Sequence, residues 1–185
     1  AGGLQQAIGQ QVAGERPLDR LVACAEHDRH GVRVVRVVPE VGVDRIAVSD
    51  PRLRQRSEEV KIEELKKPAF QAWLDDLVDT MYKADGVGIA AAQVGRSIRV
   101  FVAVEKDTPH VVINPVVVKK TWRTQDGEEG CLSVPGRYGI VRRHYGFKVR
   151  AIDRFGEKIE FDAKGFFARV LQHELDHCDG VLFVG

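Results

Sequence analysis

The chain has 185 residues, 44% hydrophobic and 30% charged, which is enough for one domain with a real core and ordinary for a globular protein. A formal net charge of +1 gives no bulk attraction to nucleic acid or to an anionic membrane surface, and no apolar run approaches the ~20 residues of a membrane span. Three cysteines, Cys24, Cys131 and Cys178, are too few and odd in number for a secreted disulfide framework, which points to a reducing compartment.

Residues 1–45 differ in texture from the rest. Every lysine or arginine there is arginine (Arg16, Arg20, Arg29, Arg33, Arg36 and Arg45), and the first large aromatic residue is Phe70. A segment without aromatic anchors buries too little to offset its ordering entropy, so residues 1–45 read as a poorly packed, dispensable extension ahead of a domain over residues 46–185. Val32 to Val38 alternates as a short strand would. Glu15, Asp19, Glu26, Asp28 and Glu40 balance the arginines, unlike a transit peptide.

From Ile46 the pattern is that of a packed domain. Pro68 suits the first position of a helix, and Phe70, Trp73, Leu74, Leu77, Val78 and Met81 recur at three- and four-residue steps, so Pro68 to about Lys83 is an amphipathic helix that Asp85-Gly86 ends. The run Gly86-Val87-Gly88-Ile89-Ala90-Ala91-Ala92-Gln93 is small-residued and reads, taken alone, as a tight turn into a strand. It lacks the third glycine of a dinucleotide site. Strands follow at Ile98 to Val104 and Val111 to Val118, and Pro115 makes the second an edge or bulged strand. Glu128 to Gly136 reads as a turn-rich segment holding Cys131, and Gly146 to Asp153 with Glu157 to Asp162 as a hairpin around Arg154-Phe155-Gly156.

Gly165 then precedes a helix from Phe166 to about Cys178, closed by Asp179-Gly180. Phe166, Val170, His173 and His177 share one face and Leu171, Leu175 and Cys178 another, so the helix is apolar on two sides and runs through the middle of the domain. In the string His173-Glu174-Leu175-Asp176-His177 the histidines project from one face, one turn apart, and can grip a single metal ion. A divalent metal lowers the pKa of a bound water to roughly 7, and Glu174, one step round the helix, can take the proton as the oxygen attacks a carbonyl. The plain structural alternative is a solvated helix with two surface histidines. Asp176 points off the ligand face and is free to pair with a basic residue such as Arg143. Cys24 and Cys178 read as small buried hydrophobes, the alternative for Cys178 being a second thiol near the metal helix that is prone to oxidation.

Three stretches in order, Gly86-x-Gly88-Ile89-Ala90-Ala91-x-Gln93, Glu129-Gly130-Cys131-Leu132-Ser133 and His173-Glu174-x-Asp176-His177, resemble the motifs of the peptide deformylases, and the similarity runs from about Ile46 to Phe183. The resemblance implies an α+β fold with antiparallel β-sheets packed around a central metal-bearing α-helix. It also implies removal of the N-formyl group from the N-terminal methionine of newly synthesised proteins, releasing formate. The metal ligands it implies are Cys131, His173 and His177, around Fe2+ replaceable by Zn2+, Ni2+ or Co2+. Glu174 would be the general base, and the backbone N–H of Leu132 and the side-chain amide of Gln93 would receive the oxyanion. The Gly88 carbonyl would hold the substrate backbone, and Val87, Phe166 and Val170 would line the methionine pocket. N-formyl-methionyl nascent peptides, met at the ribosome, would be the partners, in a bacterial-type cytoplasm or an organelle.

Two other classes remain open on the residues alone. A general H-E-x-x-H peptidase would normally use a histidine or carboxylate as third ligand rather than Cys131. A metal-binding domain without catalysis would have no use for Glu174, Gln93 and Leu132.

Overall fold

The computed structural model describes residues 21–27, 33–39 and 43–184, with side chains from Val43 onward. The chain divides into two compact units, residues 1–41 and 42–185. In the first, strand β1 (Leu21–His27) pairs antiparallel with β2 (Arg33–Pro39), Leu21 opposite Pro39 and His27 opposite Arg33. The strand expected from the alternation at Val32 to Val38 matches β2; its partner β1 was not legible. The packing of this hairpin and the surroundings of Cys24 lie outside the described side chains.

The second unit is built in layers. A short helical turn α1 (Ile62–Leu65) leads into α2 (Pro68–Lys83), which starts at Pro68 and buries Phe70, Trp73, Leu74, Leu77 and Met81, the face its three- and four-residue spacing predicts. Asp85, at φ 51°, turns the chain out of α2, and the Gly86 N–H returns to the Met81 carbonyl at 3.0 Å. The chain then enters β3 (Gly88–Ala90), β4 (Val100–Glu105) and β5 (Thr108–Lys120). With β8 (Gly146–Ile152) and β9 (Lys158–Lys164) these form a five-stranded antiparallel sheet of order β3-β4-β5-β8-β9. The expected hairpin around Gly156 is β8–β9.

Side-chain alternation divides this sheet between two cores. Ile89, Val100, Val102 and Ile113 pack with α2, while Ala90, Phe101, Ala103, Val112, Phe147, Val149 and Ala163 pack with helix α3 (Gly165–Cys178) on the other face. The sheet is therefore buried on both sides, and α3 runs through the centre of the unit, as expected.

Of the two forms expected for the strand that holds Pro115, it takes the bulged one: β5 is central in the sheet, and the ladder shifts between Ile113 and Val116 and so never calls on the missing N–H. Asn114, at φ 51°, makes that bulge, and its amide exchanges two 2.8 Å hydrogen bonds with the backbone of Val60. One local expectation needs correction: Glu128 to Gly136 is not turn-rich but the closed end of a two-stranded ribbon of β6 (Thr124–Cys131) and β7 (Val134–His144), with only Leu132-Ser133 between the strands. Its glycines hide strand character because they serve close approaches: a Cβ on Gly127 would lie 2.7 Å from the Arg169 guanidinium.

Candidate active site and metal centre

Helix α3 passes beneath the end of the β6–β7 ribbon, and that crossing brings Cys131 to the two histidines. His173 and His177 follow one another on the helix with ring centroids 5.0 Å apart. The Cys131 Sγ lies 3.2 Å from His177 Nε2, and one ligand atom each from Cys131, His173 and His177 all fall within 4.8 Å of one another. Burial pushes His177 down to about 3, so its imidazole is neutral, the form that binds a metal. Burial also opposes charge on His173, but hydrogen bonds to Cys131 and Glu129 outweigh it and lift the group to about 10. A soft sulfur with two imidazole nitrogens is a donor set for iron, zinc, nickel or cobalt, and three ligands leave a position open.

Glu174 is 3% exposed, and its Oε2 has no hydrogen-bond partner. Burial lifts its carboxyl to about 7; the field of His173 opposes that rise, and those of Glu129 and Asp176 add to it. A carboxylate so poised exchanges protons readily at neutral pH. Gln93 sits across the centre, fully buried. Its Oε1 accepts from the Ala90 N–H at 2.8 Å, which fixes the amide so that Nε2 points to the Cys131 sulfur, 3.4 Å away. The Leu132 carbonyl accepts from Arg45 Nη1 at 3.0 Å.

These groups open onto a cavity of about 480 Å³. Val87, Gly88, Gln93, Cys131, Leu132, Phe166, Val170, His173 and Glu174, all singled out from the sequence, line it; His177 lies behind, 1% exposed. Val170 is buried, whereas Val87 and Phe166 stand half-exposed or more at the mouth. Gly88 belongs to β3, which is the edge of the five-stranded sheet, so its outer backbone groups face the cavity rather than another strand.

Of the network behind the ligands, the sequence reading reached only the Asp176–Arg143 pair and missed Glu129 and Arg169. The buried Glu129 accepts from His173 Nδ1 at 2.9 Å, from Arg143 Nε and Nη2 at 2.8 and 2.9 Å, and from Arg169 Nη1 at 2.8 Å. Burial works against its charge, but the hydrogen bonds from Arg143 and His173 hold the carboxyl down at about 2. Binding His173 through Nδ1 leaves Nε2 free to ligate. Arg143 also holds Asp176 at 2.5 Å, the pairing expected for that residue. Arg169 adds bonds to the carbonyls of Gln125, Gly127 and Val141, stapling the ribbon to α3. Spacing held part of the signal: Arg169 is four helix positions from His173, on the same side of α3, whereas the register shift between Gly130 and Cys131 hides the side that Glu129 takes.

Cys178 is the small buried hydrophobe that the sequence reading favoured. It is fully buried in the core between α3 and the sheet, and burial pushes its thiol up to about 12, which disfavours the reactive thiolate and sets aside the alternative of a site for oxidation.

Residues 45–185 match the family model described as polypeptide deformylase. Peptide deformylase 2 of Xanthomonas campestris is 46% identical over 138 residues, covering 73% of this chain and 81% of that protein. The peptide deformylase of Fusobacterium nucleatum is 45% identical over 133 residues, covering 71% and 76%. A class I type b peptide deformylase of Acinetobacter baumannii, solved with Met-Ala-Ser bound, superposes with a TM-score of 0.75 at 34% identity, covering 78% of this chain and 97% of that one. Sequence, relatives and fold agree: the chain belongs to the polypeptide deformylase family, enzymes that remove the N-formyl group from newly synthesised chains.

Proposed function

We propose that Cys131, His173 and His177 hold one divalent cation, natively Fe2+ and replaceable by Zn2+, Ni2+ or Co2+, and that the cavity beside it binds a formyl-methionyl N-terminus. The convergence of those three ligand atoms within 4.8 Å, next to a buried and otherwise unpartnered Glu174, carries the reading. Bound there, the cation supplies Lewis acidity, bringing the pKa of a water to roughly 7. Glu174 takes a proton from water as the oxygen adds to the formyl carbon. It returns that proton to the amine nitrogen as the C–N bond breaks and formate leaves. The Gln93 amide, locked by the Ala90 N–H, and the Leu132 N–H receive the negative charge on the formyl oxygen; one such donor is typically worth about 3 to 4 kcal/mol.

The peptide lies along the free edge of β3, where the Gly88 carbonyl accepts its first backbone N–H. Val87, Phe166 and Val170 give the methionine side chain an apolar wall. The Met-Ala-Ser held by the Acinetobacter baumannii relative supports such an occupant. A formylated N-terminus first exists on a growing chain, so the enzyme meets it at or near the ribosome, in the cytoplasm. Among the described residues no helix is long and apolar enough to cross a membrane. Residues before the domain take no part in the chemistry.

The test joins metal analysis of the purified protein to an assay of formate release. One equivalent of metal and hydrolysis of formyl-Met-Ala-Ser are expected, with acetyl-Met-Ala-Ser cleaved far more slowly because the formyl carbon carries only hydrogen beside its carbonyl. Cleavage of unformylated peptides at a comparable rate would replace this reading with that of a general metallopeptidase.

A further inference from the structure

Residues 43–46 belong to the second unit and run between the two groups that are proposed to receive the oxyanion. At one end the Val43 N–H bonds to Thr80 Oγ1 on α2 at 2.7 Å. At the other the Ile46 N–H bonds to the Gln93 carbonyl at 2.8 Å. Between these anchors Arg45 lines the cavity and reaches the Leu132 carbonyl through Nη1 at 3.0 Å. One short segment thus grips the backbone of both Gln93 and Leu132, which come from distant parts of the chain.

Leu132 has few other restraints on its backbone. Leu132 and Ser133 alone join β6 to β7, and the ladder shifts register between Gly130 and Cys131, so the turn stands outside the regular pairing. Among the described residues, the bond from Arg45 is the hydrogen bond that reaches the backbone of this turn from outside the ribbon. The half-buried Leu132 side chain packs against the α2 core, which holds the residue in place but does not set the tilt of its peptide groups. Tilt matters for a transition-state donor, because a misplacement of about 1 Å can lower a rate by about 10²-fold. Gln93 is better restrained, with its side chain held by the Ala90 N–H and its carbonyl by Ile46.

We infer that Arg45 is a positioning residue for the reaction: by holding the Leu132 carbonyl from a segment that also grips Gln93, it keeps the Leu132 N–H and the Gln93 amide correctly spaced around the formyl oxygen. The inference rests on the oxyanion roles proposed for those two groups. It gives residues 43–46 a part in transition-state binding and leaves residues 1–41 without one. Support of this kind raises kcat more than substrate affinity, since the neutral carbonyl of the ground state asks less of the donors than the oxyanion does. The guanidinium adds a positive charge on the side of the cavity where negative charge develops.

Formate release from formyl-Met-Ala-Ser by the metal-loaded full chain tests it, with Arg45→Ala and Arg45→Lys set beside the parent. Arg45→Ala should lower kcat about tenfold or more, leave KM within about twofold and retain the parent's metal content. Arg45→Lys keeps a cationic donor on a long stem and should recover most of that loss. Because the side chain is exposed, free guanidinium far below denaturing concentrations should restore part of the turnover of Arg45→Ala without raising that of the parent. A bond that only steadied the fold would lower the thermal midpoint and leave no activity for guanidinium to rescue. A parent-like kcat in Arg45→Ala, or a loss that neither lysine nor guanidinium relieves, overturns the inference while the parent's own formate release leaves the deformylase reading standing. If the parent releases no formate, the oxyanion roles fall and the inference falls with them.

Discussion

A methyl group on Gly88 would overlap the carboxylate of Glu174: the ideal Cβ position meets Oε1, with Cδ and Cγ at 2.9 and 3.0 Å. The glycine in β3 is therefore the space in which the proposed base sits, and no positive φ is involved. Gly88→Ala should fold and keep its metal but displace Glu174, lowering kcat by about 10²-fold or more. Glu174→Ala should lower it by about 10²- to 10⁴-fold, again with metal retained. Parent-like turnover in Gly88→Ala would show that Glu174 works from a different position.

Cys131→Ser should lose most of its bound metal, because a hydroxyl is a far poorer ligand than a thiolate for iron or zinc. Cys178→Ser should keep it. That variant should lose stability instead, since it places a hydroxyl in a buried apolar core, at a cost of about 1 to 3 kcal/mol. Metal content by elemental analysis and thermal midpoints separate the two effects.

Acid should weaken the metal-stripped protein through Glu129. Its carboxyl is lowered from the ordinary 4.5 to about 2 in the fold, so the stabilisation is fully present above 4.5 and lost as pH falls through 2. Glu129→Gln should be less stable at neutral pH and show a flatter dependence between those values. Denaturant midpoints measured across that window check the sign; identical slopes for parent and variant would remove Glu129 from the account.

Removal of residues 1–41 should leave turnover on formyl-Met-Ala-Ser nearly unchanged. Extending the deletion to residue 45 removes the Val43 N–H bond to Thr80 Oγ1 at 2.7 Å and the Arg45 bond to Leu132 at 3.0 Å. The longer deletion should lower the Tm by about 2 to 4 °C for each kcal/mol those contacts contribute. Equal midpoints for both deletions would show that residues 43–45 are dispensable as well.

The sequence by itself determined what is decided within a few turns of chain. The amphipathic stripe of Pro68–Lys83, the hairpin at Gly156 and the placing of His173, Glu174 and His177 on one helix follow from periodicity, because neighbours at three and four residues touch in any helix. Tertiary structure decided the rest. Cys131 is 46 residues from His177, and only burial of α3 beneath the β6–β7 ribbon brings them to 3.2 Å. Pro115 entered a central strand because a bulge and Asn114 removed the need for its N–H, and Gly88 had to be glycine because of a side chain 86 positions later. Glu129 could carry its charge in the interior only once two arginines and a histidine from distant segments closed on it, since a buried charge is tolerated only where its partners are already held in place.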